Sequence, residues 1–136
     1  MKFDMTKPAP IVQPWTEAFW EGTKQGKLLV QHCKDCDSNI WYPRKFCPEC
    51  WSGNLEWIES SGKGTVETFS TAMSQVEPCF MDELPYTLGF IRLDEGVKMM
   101  SRIVDCDYRD ITNGMRVEVT FVERDGWTFP FFKPVK

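Results

Sequence analysis

The sequence predicts a mainly β chain in which a short helix and a cysteine-clasped hairpin unit precede a small β-barrel. Three observations carry that expectation. Four of the six cysteines fall in two Cys-x-x-Cys pairs, Cys33/Cys36 and Cys47/Cys50, with ten residues between them. From Gly62 onward, β-branched and aromatic residues gather in runs of strand length. Those runs are joined by "DEG" at 94–96, "TNG" at 112–114 and "RDG" at 124–126, which is turn chemistry.

The elements follow in order. Residues 1–13 are Pro-rich and irregular, a flexible lead-in. "PWTEAFWEGTKQG" then reads as a short helix. Pro14 suits its first turn, Glu17 faces the positive end of the dipole, and Gly22 or Gly26 can end it. Trp15, Ala18 and Phe19 fall at i, i+3 and i+4 and form one apolar face. That face is expected to pack on the chain's own core, leaving Trp20 over for a partner. "GKLLVQHC", "SNIWYPRKFC" and "SGNLEW" supply three short strands around the cysteine pairs. Five strands are expected at 63–76, 85–93, 97–104, 115–123 and 127–133, with a brief helical turn near "YRDITNG". Five such strands suggest a closed or nearly closed barrel. The implied divisions are 1–26 for the lead-in and helix, 27–60 for the cysteine unit and 61–136 for the barrel.

Each Cys-x-x-Cys pair can form a tight knuckle whose amides face the sulfurs. A hairpin of about ten residues brings two knuckles together, and four thiolates suit tetrahedral Zn²⁺. The expected ligands are Cys33, Cys36, Cys47 and Cys50, in a zinc-ribbon arrangement. A thioredoxin-like redox pair would need one pair in a βαβ frame, which the pattern lacks. A four-cysteine site is coordinatively closed, so the metal is expected to be structural. His32, the only histidine, reads as a solvent-exposed neighbour of the first knuckle. Knuckles often carry Gly after the second cysteine, where the backbone turns left-handed. Asp37 and Trp51 hold those places. Asp tolerates that conformation, but Trp does not readily, so the second knuckle is expected to be less regular.

Charge narrows the function. The formal net charge is −4. Residues 1–57 carry seven basic and seven acidic residues, while residues 58–136 carry nine basic and thirteen acidic. An acidic barrel argues against a nucleic-acid-binding ribbon or barrel module, the main alternative function. "MKFDMTKPAPIV" has no apolar run after its lysine, so a secretory signal is not expected. No run approaches the roughly 20 apolar residues of a membrane helix. The expected setting is the cytoplasm, where thiols stay reduced. A catalytic constellation is also missing. Cys79 and Cys106 could serve a hydrolase or acyl carrier, but no second histidine exists to activate either.

The order helix, "GKLLVQHCKDC", "YPRKFCPEC", "SGKGTVETFS", "LDEGVKMMSR", "NGMRVEV" and "FPFFKP" resembles one family over residues 15–134. It is similar to the zinc-ribbon plus OB-fold proteins that accompany thiolases and other acyl-CoA-handling enzymes. The resemblance implies a rubredoxin-like ribbon, a five-stranded OB-fold barrel, and a small accessory subunit in a hetero-oligomer. A thiolase-like catalytic subunit would supply the reactive cysteine and histidines. This chain would help bind CoA or acyl-CoA, shape its channel, or pass on an intermediate. Its aromatic content is similar to small subunits serving thiolases of aromatic or steroid degradation, of the benzoylsuccinyl-CoA thiolase kind. On that reading Arg44 and Lys45, beside Tyr42 at the ribbon's "YPRK" tip, and Lys63 at the barrel entrance would meet CoA's phosphates. Phe80, Met81, Leu84 and Tyr86, in the apolar linker "EPCFMDELPY", could cover an acyl channel at a partner interface, with Trp15, Phe19 and Trp20 nearby. The alternative for that linker is a loop folded onto its own barrel.

Overall fold

A computed structural model describes residue 7 and residues 9–135 of the chain. The lead-in expected over residues 1–13 therefore falls partly outside the described residues. Helix α1 (Glu17–Lys24) precedes β1 (Leu29–Cys33), β2 (Asn39–Ile40) and β3 (Leu55–Glu59). The strands β4 (Lys63–Ala72), β5 (Tyr86–Leu93), β6 (Lys98–Ile103), β7 (Arg116–Arg124) and β8 (Trp127–Pro134) follow. Two 3₁₀ turns interrupt them, at Pro78–Glu83 and Tyr108–Asp110.

Helix α1 starts after Pro14, not on it. Thr16 closes the preceding turn, its hydroxyl donating to the Gln13 carbonyl at 3.1 Å. The helix ends at Gly26, whose φ of +76° only glycine adopts freely. Gly22 lies within the helix and does not end it, and a Cβ there would come within 2.8 Å of Leu29 Cδ1. Phe19 is buried, as the apolar face predicts. Trp20, expected to be left over for a partner, is half-buried within the chain. It packs edge-on against Trp127 and Phe129 of β8, each with a centroid separation of 5.8 Å.

The ribbon is a three-stranded antiparallel sheet in the order β2-β1-β3. The short strand expected within "SNIWYPRKFC" is only the two residues Asn39–Ile40. Pro43 has no amide for a ladder. Instead the buried Gln31 of β1 holds the loop, donating to the Arg44 carbonyl at 2.9 Å and accepting from its amide at 2.8 Å.

The last five strands close a barrel in the order β4-β5-β6-β8-β7, with β7 returning to β4. All pairs are antiparallel except β6 and β8, which meet in parallel at Ile103 and Phe132. This is the OB-fold barrel. Its interior is filled by Val66, Ile91, Leu93, Met99, Val117 and Phe132, with Phe19 of α1, Leu28 just before β1 and Val30 of β1 joining the same cluster. A bulge between Val66 and Thr68 bends β4 around the core. The short β6–β8 seam is reinforced where Ser101 Oγ donates to the Pro130 carbonyl at 2.6 Å. The expected strand 63–76 stops at Ala72, since Gln75 turns left-handed at φ +60° and Pro78 begins a 3₁₀ turn.

Ribbon and barrel are joined by one residue of the "DEG" turn. The Glu95 carboxylate accepts from Ser60 Oγ and from the Ser61 amide, and its carbonyl accepts from Asn39 Nδ2 at 2.9 Å. The turn between β5 and β6 thereby orients the ribbon over one outer face of the barrel.

Candidate functional site

The two knuckles have the same backbone. The Cys33 and Cys47 amides donate to Ser38 and Ser52 carbonyls at 2.8 and 2.9 Å. The Asp37 and Trp51 amides donate back to Cys33 and Cys47 carbonyls at 2.9 and 2.8 Å. Asp37 and Trp51 both sit left-handed, at φ +62° and +64°. The second knuckle is therefore as regular as the first, contrary to the expectation for Trp51. The left-handed turn costs a non-glycine residue about 1–2 kcal/mol. Trp51 tolerates it because its side chain, 78% exposed, meets no neighbour that would add to that cost.

All four Sγ atoms lie within 4.8 Å of one another. Cys33 and Cys50 are 3.6 Å apart, and Cys36 and Cys47 3.5 Å. A tetrahedron with metal–sulfur bonds of about 2.3 Å has sulfur–sulfur edges of about 3.8 Å, so the set fits such an ion. The thiols are in conflict without one. The Ser38 hydroxyl and the adjoining sulfurs bring Cys36 down to about 6. At Cys50 the Ser52 amide favours the thiolate, yet burial and the other three sulfurs push it up to about 12. A bound divalent cation would remove this conflict, because all four sulfurs could then be thiolates around its two positive charges. His32 is no ligand. It is also less exposed than expected: its Nδ1 meets Asn39 Oδ1 at 2.7 Å, and its Nε2 meets Asp37 Oδ1 at 2.8 Å. Those partners, Asn39 first, raise its pKa and brace the first knuckle across β1 and β2.

The larger feature is an apolar groove of about 590 Å³ between ribbon, helix and barrel. Trp15, Phe19 and Trp20 form one wall, and Trp41, Tyr42 and Pro43 of the loop after β2 form another. The floor is the outer face of the barrel, with Leu88, Met100, Phe129 and Phe131. Leu88, Met100 and the neighbouring Phe90 point outward and remain exposed, which is unusual for three large apolar residues on adjacent strands. Within the groove wall, the Trp41 indole N–H is buried without an acceptor, at a typical cost of about 1–3 kcal/mol.

One end of the groove is polar. Arg102 of β6 and Arg124 of β7 both line it, and both donate to Glu83 Oε1 from the 3₁₀ turn. The three side chains are only 13%, 20% and 21% exposed. Arg102 lies 4.2 Å from the Tyr86 ring and 5.4 Å from Phe80.

The groove thus collects Trp15, Phe19, Trp20, Tyr42 and Phe80 from the residues singled out in the sequence. Tyr86 lies under Arg102 beside it, while Leu84 is half-buried off the groove and Met81 is exposed at the surface. The linker is partly folded onto the barrel, with Cys79 buried. Lys45 sits over the Trp15 ring at 4.7 Å, and Arg44 donates to the Tyr42 carbonyl at 3.2 Å. Lys63 is not brought to them. It opens β4 opposite Glu118 and does not line the groove. Sequence reasoning missed Trp41, Arg102 and Arg124. The one available signal was Arg102 at the same strand parity as Met100, a cation on an outward apolar face.

The chain's similarities agree with this architecture. Residues 20–56 match the family description "ChsH2, rubredoxin-like zinc ribbon domain", and residues 57–122 match "ChsH2, C-terminal OB-fold domain". A DUF35 domain-containing scaffold protein of Methanocaldococcus jannaschii is 35% identical over 86% of this chain and 89% of its own length. A probable enoyl-CoA hydratase alpha subunit of Thermomonospora curvata is 32% identical over 94% of this chain, but the chain spans only 40% of that protein. The solved structure described as an Ltp2-ChsH2(DUF35) aldolase superposes with a TM-score of 0.84 at 28% identity, covering 93% of this chain and 98% of that one. With its ribbon, barrel and joint all accounted for, the chain belongs to the DUF35 family, in which a ChsH2-type zinc ribbon precedes an OB-fold domain.

Proposed function

We propose that this chain is a non-catalytic accessory subunit of an acyl-CoA enzyme complex, working in a hetero-oligomer whose thiolase-like subunit carries the catalytic cysteine and histidines. The observation that carries the reading is an apolar groove with, among the described residues, no nucleophile–base pair beside it. The one histidine is used to brace a knuckle, and Cys106 is raised by burial and by the nearby Asp110, Asp107 and Asp105. Zn²⁺ held by Cys33, Cys36, Cys47 and Cys50 keeps the ribbon wall of the groove in place. The groove would receive the acyl or pantetheine part of an acyl-CoA, and its indole and phenyl walls suit an aromatic acyl group. Arg44 and Lys45, at the ribbon tip, are the cations offered to CoA's phosphates. Relatives described as scaffold, hydratase alpha subunit and aldolase component support an accessory role in acyl-CoA chemistry. A cytoplasmic setting fits six free cysteines, and among the described residues no helix is long and apolar enough to cross a membrane.

The nucleic-acid alternative is disfavoured by how the barrel's cations are used. OB folds commonly bind oligonucleotides on the face corresponding to β5 and β6. Here every cation of that face is already paired, Arg92 and Lys98 with Glu67 and Arg102 with Glu83, and Leu88, Phe90 and Met100 fill the space between them.

The test is co-expression with a thiolase-like protein encoded beside this chain, read by native mass spectrometry and by acyl-CoA turnover. A stable hetero-complex is expected, with turnover falling when this chain is omitted. Absence of a complex together with unchanged turnover would sink the proposal.

A further inference from the structure

We propose that Arg102 and Arg124 form an anion subsite at the end of the groove, and that Glu83 occupies it as a displaceable internal stand-in. The ligand class is a single bulky apolar body bearing one anionic group such as a carboxylate. This deepens the role given to the groove above by naming what its polar end recognises.

The geometry carries the assignment. Two guanidinium groups converge on one oxygen of one carboxylate, Arg102 Nη1 at 2.8 Å and Arg124 from the other side. The second oxygen, Glu83 Oε2, is buried without a hydrogen bond and has only Lys7 Nζ within 3.7 Å. Lys7 in turn pairs more closely with Asp82, at 3.2 Å. Two cations therefore face one anion, in a barrel whose overall balance is acidic. Each guanidinium can offer a two-pronged fork to a carboxylate, and Glu83 takes neither fork fully.

The arginines are held in place by rings, not by Glu83 alone. Arg102 lies over Tyr86 and Phe80, and Arg124 lies 5.7 Å from Phe129 and 5.9 Å from Phe80. Glu83, by contrast, sits at the end of a short 3₁₀ turn in the loop between β4 and β5. The arginines come from barrel strands and the carboxylate from a loop, so the carboxylate is the part able to withdraw. The body of the ligand would lie on Leu88, Met100 and Phe129.

The probe is 8-anilinonaphthalene-1-sulfonate, an aromatic monoanion, against the uncharged N-phenyl-1-naphthylamine, both titrated into the full chain. One equivalent of the anion is expected to bind about tenfold tighter than the neutral probe. Glu83→Gln, which keeps the shape and removes the charge, is expected to tighten anion binding about threefold or more and to leave the neutral probe unchanged. Arg124→Gln, with Arg102 still on Glu83, is expected to weaken the anion about fivefold and again spare the neutral probe. It decides the matter if Glu83→Gln fails to fold. Displacement by 2-naphthoate identifies the carboxylate-bearing body as sufficient. The assignment is overturned by equal binding of both probes, by Glu83→Gln weakening or not altering the anion, or by failure of 2-naphthoate to displace it. These readings use the isolated chain, so they fail or succeed independently of complex formation.

Discussion

Removing the metal from the cysteine clasp is expected to melt the ribbon and leave the barrel folded. The buried residues of the ribbon's own core are Cys33, Ile40 and Cys47, with only Cys36 and Leu55 packed against them. Burying Ile40 contributes about 2–3 kcal/mol. Ordering the eighteen residues Cys33–Cys50 costs at least about 1 kcal/mol each in backbone entropy, so the deficit is about 15 kcal/mol. Binding of Zn²⁺ by four thiolates contributes about 10–16 kcal/mol, which closes the gap. The barrel has no such dependence, because its cluster runs from Val66 through Ile91 and Val117 to Phe132 with no metal ligand in it. The assay is hydrogen–deuterium exchange of the full chain, with and without chelation, and metal loss verified by intact mass. Peptides spanning residues 33–54 are expected to lose protection, and those spanning 86–134 to keep it. Tryptophan emission is expected to shift red as Trp41 leaves the groove wall. Retained protection at 33–54 in metal-free protein would refute the reasoning, and so would simultaneous loss across the barrel.

Two further outcomes test the packing and the electrostatics. Phe132, fully buried where β6, β7 and β8 meet, is expected to cost about 3–5 kcal/mol when replaced by Ala, read as a lowered urea midpoint. A loss under about 1 kcal/mol would mean that the β6–β8 seam is not where the barrel closes. The Asp94 carboxylate is held below its usual range by the paired hydrogen bonds from Arg116, at 2.8 and 2.9 Å. The unfolded chain takes up the Asp94 proton first, so the pair's contribution is complete above about pH 5 and fades as pH falls through the lowered folded value. The difference in urea midpoint between wild type and Asp94→Asn is therefore expected to shrink between pH 6 and pH 3. A difference that stays constant with pH would contradict this linkage.

Much was legible in the sequence, and the reason is local. The Cys-x-x-Cys spacing, the strand alternation and the turns at 94–96, 112–114 and 124–126 each depend on neighbours within a few residues. Phe19 could be assigned to the core from helical spacing alone, and the count of four cysteines already implied a closed metal site, not a catalytic one. The errors came where distant elements compete for the same residue. Trp20 was expected to be left over for a partner, and Trp127 and Phe129, more than a hundred residues on, pack edge-on against it. The strand expected within "SNIWYPRKFC" keeps only Asn39–Ile40, because the Gln31 side chain holds the loop that Pro43 could not ladder. Trp51 adopts a backbone that glycine usually takes, because the knuckle's hydrogen bonds require it and solvent receives the ring.

The sequence by itself determined the ribbon and the barrel, since each rests on spacing along one segment. Only the tertiary structure decided that there is a groove. Its walls come from α1, the loop after β2 and the outward faces of β5, β6 and β8, and Glu95 fixes how these approach. The arginine pair was invisible for the same reason. Arg102 and Arg124 are twenty-two residues apart on strands that never pair, and barrel closure alone brings both to Glu83.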